Sequence, residues 1–157
     1  MAAPSLLCGS VPLNHAPVSA FATSQIAASP IRSKKARSSS GGRDAGPFSG
    51  GVTAYDVVRG RFALRVGAYR TTGGLSQKIP WFPDRGTRVG STLVVSGRTL
   101  SLPRRSFRQT FQGAIVSGRT MFPTIVAPPS TGCWLLTFTS GPTVASIAVA
   151  VRPRPRD

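Results

Sequence analysis

His15 is the only imidazole in this 157-residue chain, and the four acidic side chains are all aspartates: Asp44, Asp56, Asp84 and Asp157. Acid–base and nucleophilic catalysis need titratable groups that converge within hydrogen-bond reach. With no glutamate, Asp56 and Asp84 would have to meet across loop-like sequence. A Ser-His-Asp or Cys-His set would have to recruit His15 from the N-terminal stretch. This inventory predicts that the chain is not an enzyme. Two cysteines, Cys8 and Cys133, and one histidine are too few for a four-ligand structural zinc site, and no cofactor is expected.

What the chain has in abundance is positive charge. It carries 20 Lys and Arg against 4 Asp, a formal net charge of +16, and 17 of the 20 are arginine. One reading is an electrostatic footprint for nucleic acid or another anionic surface. The other is a coding bias toward Arg, Ala, Gly and Pro, since the arginines are spread along the chain and charge speaks to solubility more than to fold. The densest basic-aromatic segment is Arg104-Arg105-Ser106-Phe107-Arg108. An internal echo, Val95-Ser96-Gly97-Arg98-Thr99-Leu100 against Val116-Ser117-Gly118-Arg119-Thr120-Met121, adds two more arginines. The candidate anionic-ligand patch is therefore Arg98, Arg104, Arg105, Arg108 and Arg119. Trp81, Phe82 and Phe107 are the candidate stacking aromatics. Each has a plainer reading: the aromatics fill a core, the Arg104–Arg108 segment is a solvated loop, and the echo is two strand ends whose glycines supply a positive φ. Cys133 likewise reads either as a disulfide partner of Cys8 in an oxidising compartment or as a buried free thiol. The setting of Cys8 in a tail-like segment favours the thiol.

The elements that must position these residues are strands. Gly132 to Thr139 and Thr143 to Val151 are runs rich in β-branched and aromatic residues around a Ser140-Gly141-Pro142 break, a hairpin signal. A two-residue Gly141-Pro142 loop sets Phe138 opposite Ala145, Leu136 opposite Ile147 and Trp134 opposite Val149. That places six apolar side chains on one face, and a one-residue slip scrambles it. Pro142 fits the commonest hairpin turns poorly, which leaves a longer loop with a bulge as the alternative. Further strands are predicted over 57–66, 78–82, 89–96, 111–117 and 121–127, with Pro123 marking an edge or a bend. No stretch has a helical period. Short strands at regular intervals predict a sandwich or a barrel.

Residues 1–51 differ from the rest. They are rich in Ala, Ser, Pro and Gly, carry the basic run Arg32-Ser33-Lys34-Lys35-Ala36-Arg37 and show no apolar period. Such composition cannot offset chain entropy by burial, so it predicts a disordered basic extension. It is also Ser- and Arg-rich and acid-poor, as organellar transit segments are; a start assigned too far upstream is another reading. No run is apolar and long enough for a transmembrane helix. The expected organisation is an extension over 1–51, a β domain over 52–152 and a basic tail over 153–157.

Pro128-Pro129-Ser130-Thr131-Gly132-Cys133-Trp134, entering the penultimate strand, resembles a pattern of small bacterial extracellular immunoglobulin-like domains. Its Gly-Cys-Trp form is similar to that of small secreted or lipid-anchored bacterial proteins of no assigned function. Lys78-Ile79-Pro80-Trp81 stands where those proteins carry an earlier Trp-bearing segment. The resemblance covers about residues 78–152. It implies an immunoglobulin-like β-sandwich of six to seven strands in an extracellular or cell-envelope setting, and it carries no catalytic residue. The expected role is structural, adhesive or binding, toward an anionic surface or a protein partner. The alternative is a small basic nucleic-acid-binding or ribosome-associated module.

Overall fold

A computed structural model describes Cys8 and residues 24–30, 48–52, 57–58, 61–67 and 78–154. Among them there is no helix, and the chain forms eleven strands: β1 (Ser24–Pro30), β2 (Phe48–Val52), β3 (Val57–Val58), β4 (Arg61–Arg65), β5 (Lys78–Pro83), β6 (Thr92–Thr99), β7 (Ser106–Gln112), β8 (Ala114–Val116), β9 (Arg119–Ile125), β10 (Gly132–Ser140) and β11 (Thr143–Arg152).

The β10–β11 hairpin adopts the register that the apolar pattern demands. Ser140 faces Thr143, Phe138 faces Ala145, Leu136 faces Ile147 and Trp134 faces Val149. All six apolar residues of that face are buried. The loop is two residues long, and Pro142 fits it. Gly141 has φ +54°, as the first central residue of a type II′ turn requires. The second central position takes the negative φ that a proline ring imposes.

Two sheets grow from this hairpin. One runs β7-β6-β10-β11, with β4 parallel to β11 and β3 paired to β4. The other runs β1-β2-β5-β9-β8. They share one strand: β1 pairs through Ser24–Ala28 with β2 and through Ser29 and Pro30 with β11. At the opposite edge the side-chain amide of Gln109 on β7 bridges to the segment that ends β9. It donates to the Ile125 carbonyl at 3.3 Å and accepts the Ala127 amide at 2.8 Å. The two sheets pack against each other over Trp134, Phe138, Leu136, Val149, Leu93 and Val95 from one side and Phe48, Ile79, Trp81 and Phe122 from the other. Trp81 meets Phe138 at a ring-centroid distance of 4.5 Å, tilted by 54°, within the range aromatic pairs favour.

Two expectations change. The strand count is eleven among the described residues, above the six or seven expected. The 51/52 boundary falls inside β2, and Ser24–Pro30 and Phe48–Val52 belong to the sheets, with Phe48 fully buried. The rest of 1–51 apart from Cys8 lies outside the described residues. The basic tail is anchored where it begins: Arg65 donates to the Pro153 carbonyl at 3.0 Å, and Arg154 Nε donates to the Val66 carbonyl at 3.0 Å. No helix among the described residues is long and apolar enough to cross a membrane.

Candidate functional site

Side-chain alternation decides which arginines can act together. On β6 the residues Leu93, Val95, Gly97 and Thr99 point inward, so Arg98 points out. On β7 the exposed residues are Ser106, Arg108, Thr110 and Gln112. The register pairs Arg98 with Ser106 and Ser96 with Arg108. Arg98 and Arg108 are therefore diagonal neighbours on the outer face of this sheet. Arg104 and Arg105 lie at the end of that hairpin, in the exposed 100–105 loop. Four of the five candidate arginines thus come to one region.

Arg119 does not join them. It belongs to β9, in the other sheet, and shares the parity of the outward residues there. Its guanidinium carbon sits 5.2 Å from the centroid of the Phe82 ring, a cation–π contact. Phe82 is only 8% exposed beneath it. Beside Arg119 lies an open depression of about 200 Å³ with Asp84, Arg85, Thr87 and Thr120 on its walls. Asp84, the only carboxylate among the described residues, accepts the Ser49 hydroxyl at 3.1 Å. Among the described residues no three His, Cys, Asp or Glu side chains gather in a group that could hold a metal ion.

The candidate stacking aromatics are all packed. Trp81 is in the core between the sheets. Phe107 lies against Trp134 at 5.3 Å between centroids and across the backbone of Gly97. That contact explains Gly97. A Cβ there would overlap the Phe107 ring, so the glycine serves close approach inside a strand and not a strand end. Its counterpart in the echo behaves differently. Ser117 and Gly118 have φ +49° and +72°, both central residues of a type I′ turn between β8 and β9. The echo therefore joins one turn and one strand interior, and it presents Arg98 and Arg119 on different sheets. Gly97→Ala should displace Phe107 from Trp134 and cost about 1–3 kcal/mol, the range for overpacking a core. A urea midpoint equal to that of the wild type would refute the close-approach account.

The 100–105 loop is held at both ends. Thr99 donates its amide to the Arg105 carbonyl at 2.9 Å, and its hydroxyl accepts the Arg105 amide at 2.9 Å and donates to the Pro103 carbonyl at 3.1 Å. The Leu100 amide donates to the Cys133 carbonyl at 2.9 Å. Leu102 stands 82% exposed between these anchored ends. It was not among the expected site residues, because an isolated Leu before a Pro gives no periodic signal.

Cys133 points outward from β10, on the face opposite Trp134, and is joined to Cys8 in a disulfide. The Cα atoms are 5.7 Å apart, near the commonest separation for bridged cysteines. The expected free thiol is thereby corrected. The bridge crosses 125 residues of sequence, so no local signal links the two cysteines.

Compared with known protein families, with characterised proteins and with solved structures, this chain shows no match.

Proposed function

We propose that this chain is a non-enzymatic, immunoglobulin-like β-sandwich with a structural, adhesive or binding role at the cell envelope or outside the cell. The observation that carries the reading is the Cys8–Cys133 disulfide. Disulfides form and persist in oxidising compartments and are rare where glutathione and thioredoxin keep thiols reduced. The Gly132-Cys133-Trp134 entry to β10, which resembles secreted immunoglobulin-like domains, supports the same setting. The non-enzymatic part rests on the inventory of one imidazole and no glutamate. The nucleic-acid alternative gains if all five arginines share one face. Arg98, Arg104, Arg105 and Arg108 come to one region, and Arg119 lies on the other sheet. Stacking of bases would need open aromatic faces beside them. Trp81 and Phe82 are buried and Phe107 is packed on Trp134, so the arginine cluster stands without them.

Thiol labelling tests the reading. Protein taken from its native cells under non-reducing conditions should resist maleimide modification until it is reduced, and it should fractionate with envelope or secreted material. Two freely labelled cysteines in a cytosolic fraction would overturn the proposal.

A further inference from the structure

Leu102 is the most exposed large apolar side chain among the described residues. It stands on a loop whose ends are pinned by Thr99, and Arg104 and Arg105 follow it on the same loop. Arg98 and Arg108 extend the positive charge along the adjoining outer face, and the only described carboxylate, Asp84, is held on the other sheet by Ser49. An exposed apolar side chain with arginines on the same loop and on the adjoining sheet face matches the boundary of an anionic bilayer. The aliphatic side chain enters the acyl region while the cations stay at the headgroups. A loop already held in one conformation has little ordering entropy left to lose on docking. Phe107 points inward onto Trp134, so a nucleic acid would find charge here but no ring to stack on.

We propose that the 100–105 loop is a docking tip for anionic lipid surfaces, with Leu102 as the inserting side chain and Arg104 and Arg105 as the headgroup contacts. The proposal rests on the envelope reading for the presence of a bilayer and names the partner of the arginine cluster.

The test is co-sedimentation of the full-length, oxidised protein with vesicles of phosphatidylcholine alone or mixed with phosphatidylglycerol, alongside retention on heparin. The wild type should partition onto the mixed vesicles and not onto the neutral ones. Leu102→Ser should weaken that partition by about tenfold, from the lost burial of one leucine. Its heparin retention should be unchanged. Arg104→Gln with Arg105→Gln should lose about fivefold per charge on vesicles, in line with the contribution of one basic residue near an anionic surface. It should also elute earlier from heparin. Both sites are exposed, and matching thermal melts will verify that each variant is folded. Equal vesicle binding by Leu102→Ser and wild type overturns the proposal and leaves a polyanion patch in its place. No binding to mixed vesicles by the wild type overturns it as well. Neither result touches the disulfide reading, which thiol labelling in native cells decides separately.

Discussion

Trp134→Ala should lower the stability of the domain by about 3–5 kcal/mol, the usual cost of truncating a buried Trp or Phe to alanine. Trp134 is fully buried in β10. Its register neighbours are Val149 on β11 and Thr99 on β6, and Phe107 of β7 packs on its ring. The indole thus touches or adjoins every strand of one sheet's central run. Its Nε1 donates to the Ser130 carbonyl at 3.0 Å, fixing the segment that enters β10. Truncation removes the burial, leaves a cavity that the flanking sheet cannot close, and orphans that carbonyl. Small domains have only about 5–15 kcal/mol in total, so the melting temperature should fall by roughly 10–20 °C. Trp134→Phe keeps most of the apolar volume and loses the Nε1 bond, so it should fall between the variant and the wild type. A melt unchanged by Trp134→Ala would overturn the core assignment of this face.

That face was legible in the sequence because its two strands are long, rich in β-branched and aromatic residues, and joined across a break that allows one sensible register. β7 was not legible as a strand. Its outward positions are Ser106, Arg108, Thr110 and Gln112, and its inward Gln109 spends its amide on backbone groups at and just after the end of β9. Only Phe107 and Phe111 signal an apolar face, too few to separate a strand from a basic loop. β1 and β2 were harder still. Ser24–Pro30 and Phe48–Val52 hold few large apolar residues and draw their order from pairing with β11 and β5. The candidate site divides by the same logic. Arg98 and Arg108 meet through register, which composition does not reveal. Arg119 parts from them because a shared Ser-Gly-Arg-Thr sequence carries no information about which sheet will hold it.

Reduction of the Cys8–Cys133 bridge should be the second large effect. A cross-link spanning 125 residues removes loop-closure entropy from the unfolded chain, and the chain-entropy treatment puts its ceiling at about 5 kcal/mol. Native disulfides of small secreted domains are worth about 2–5 kcal/mol. The urea midpoint of the oxidised protein should therefore exceed that of the reduced protein. The slope should steepen on reduction, because an uncross-linked denatured chain exposes more surface. Cys8→Ser, Cys133→Ser and the double variant should all reproduce the reduced protein, since each breaks the same single tether. The bridge lies on the outer face of β10 and leaves the inward residues Trp134, Leu136 and Phe138 where they are. The reduced chain should accordingly remain folded in the absence of denaturant, with a cooperative transition at lower urea. Coincident midpoints with and without reductant would mean that the 125-residue connection is already restrained in the unfolded chain, and the bridge would then have no part in stability.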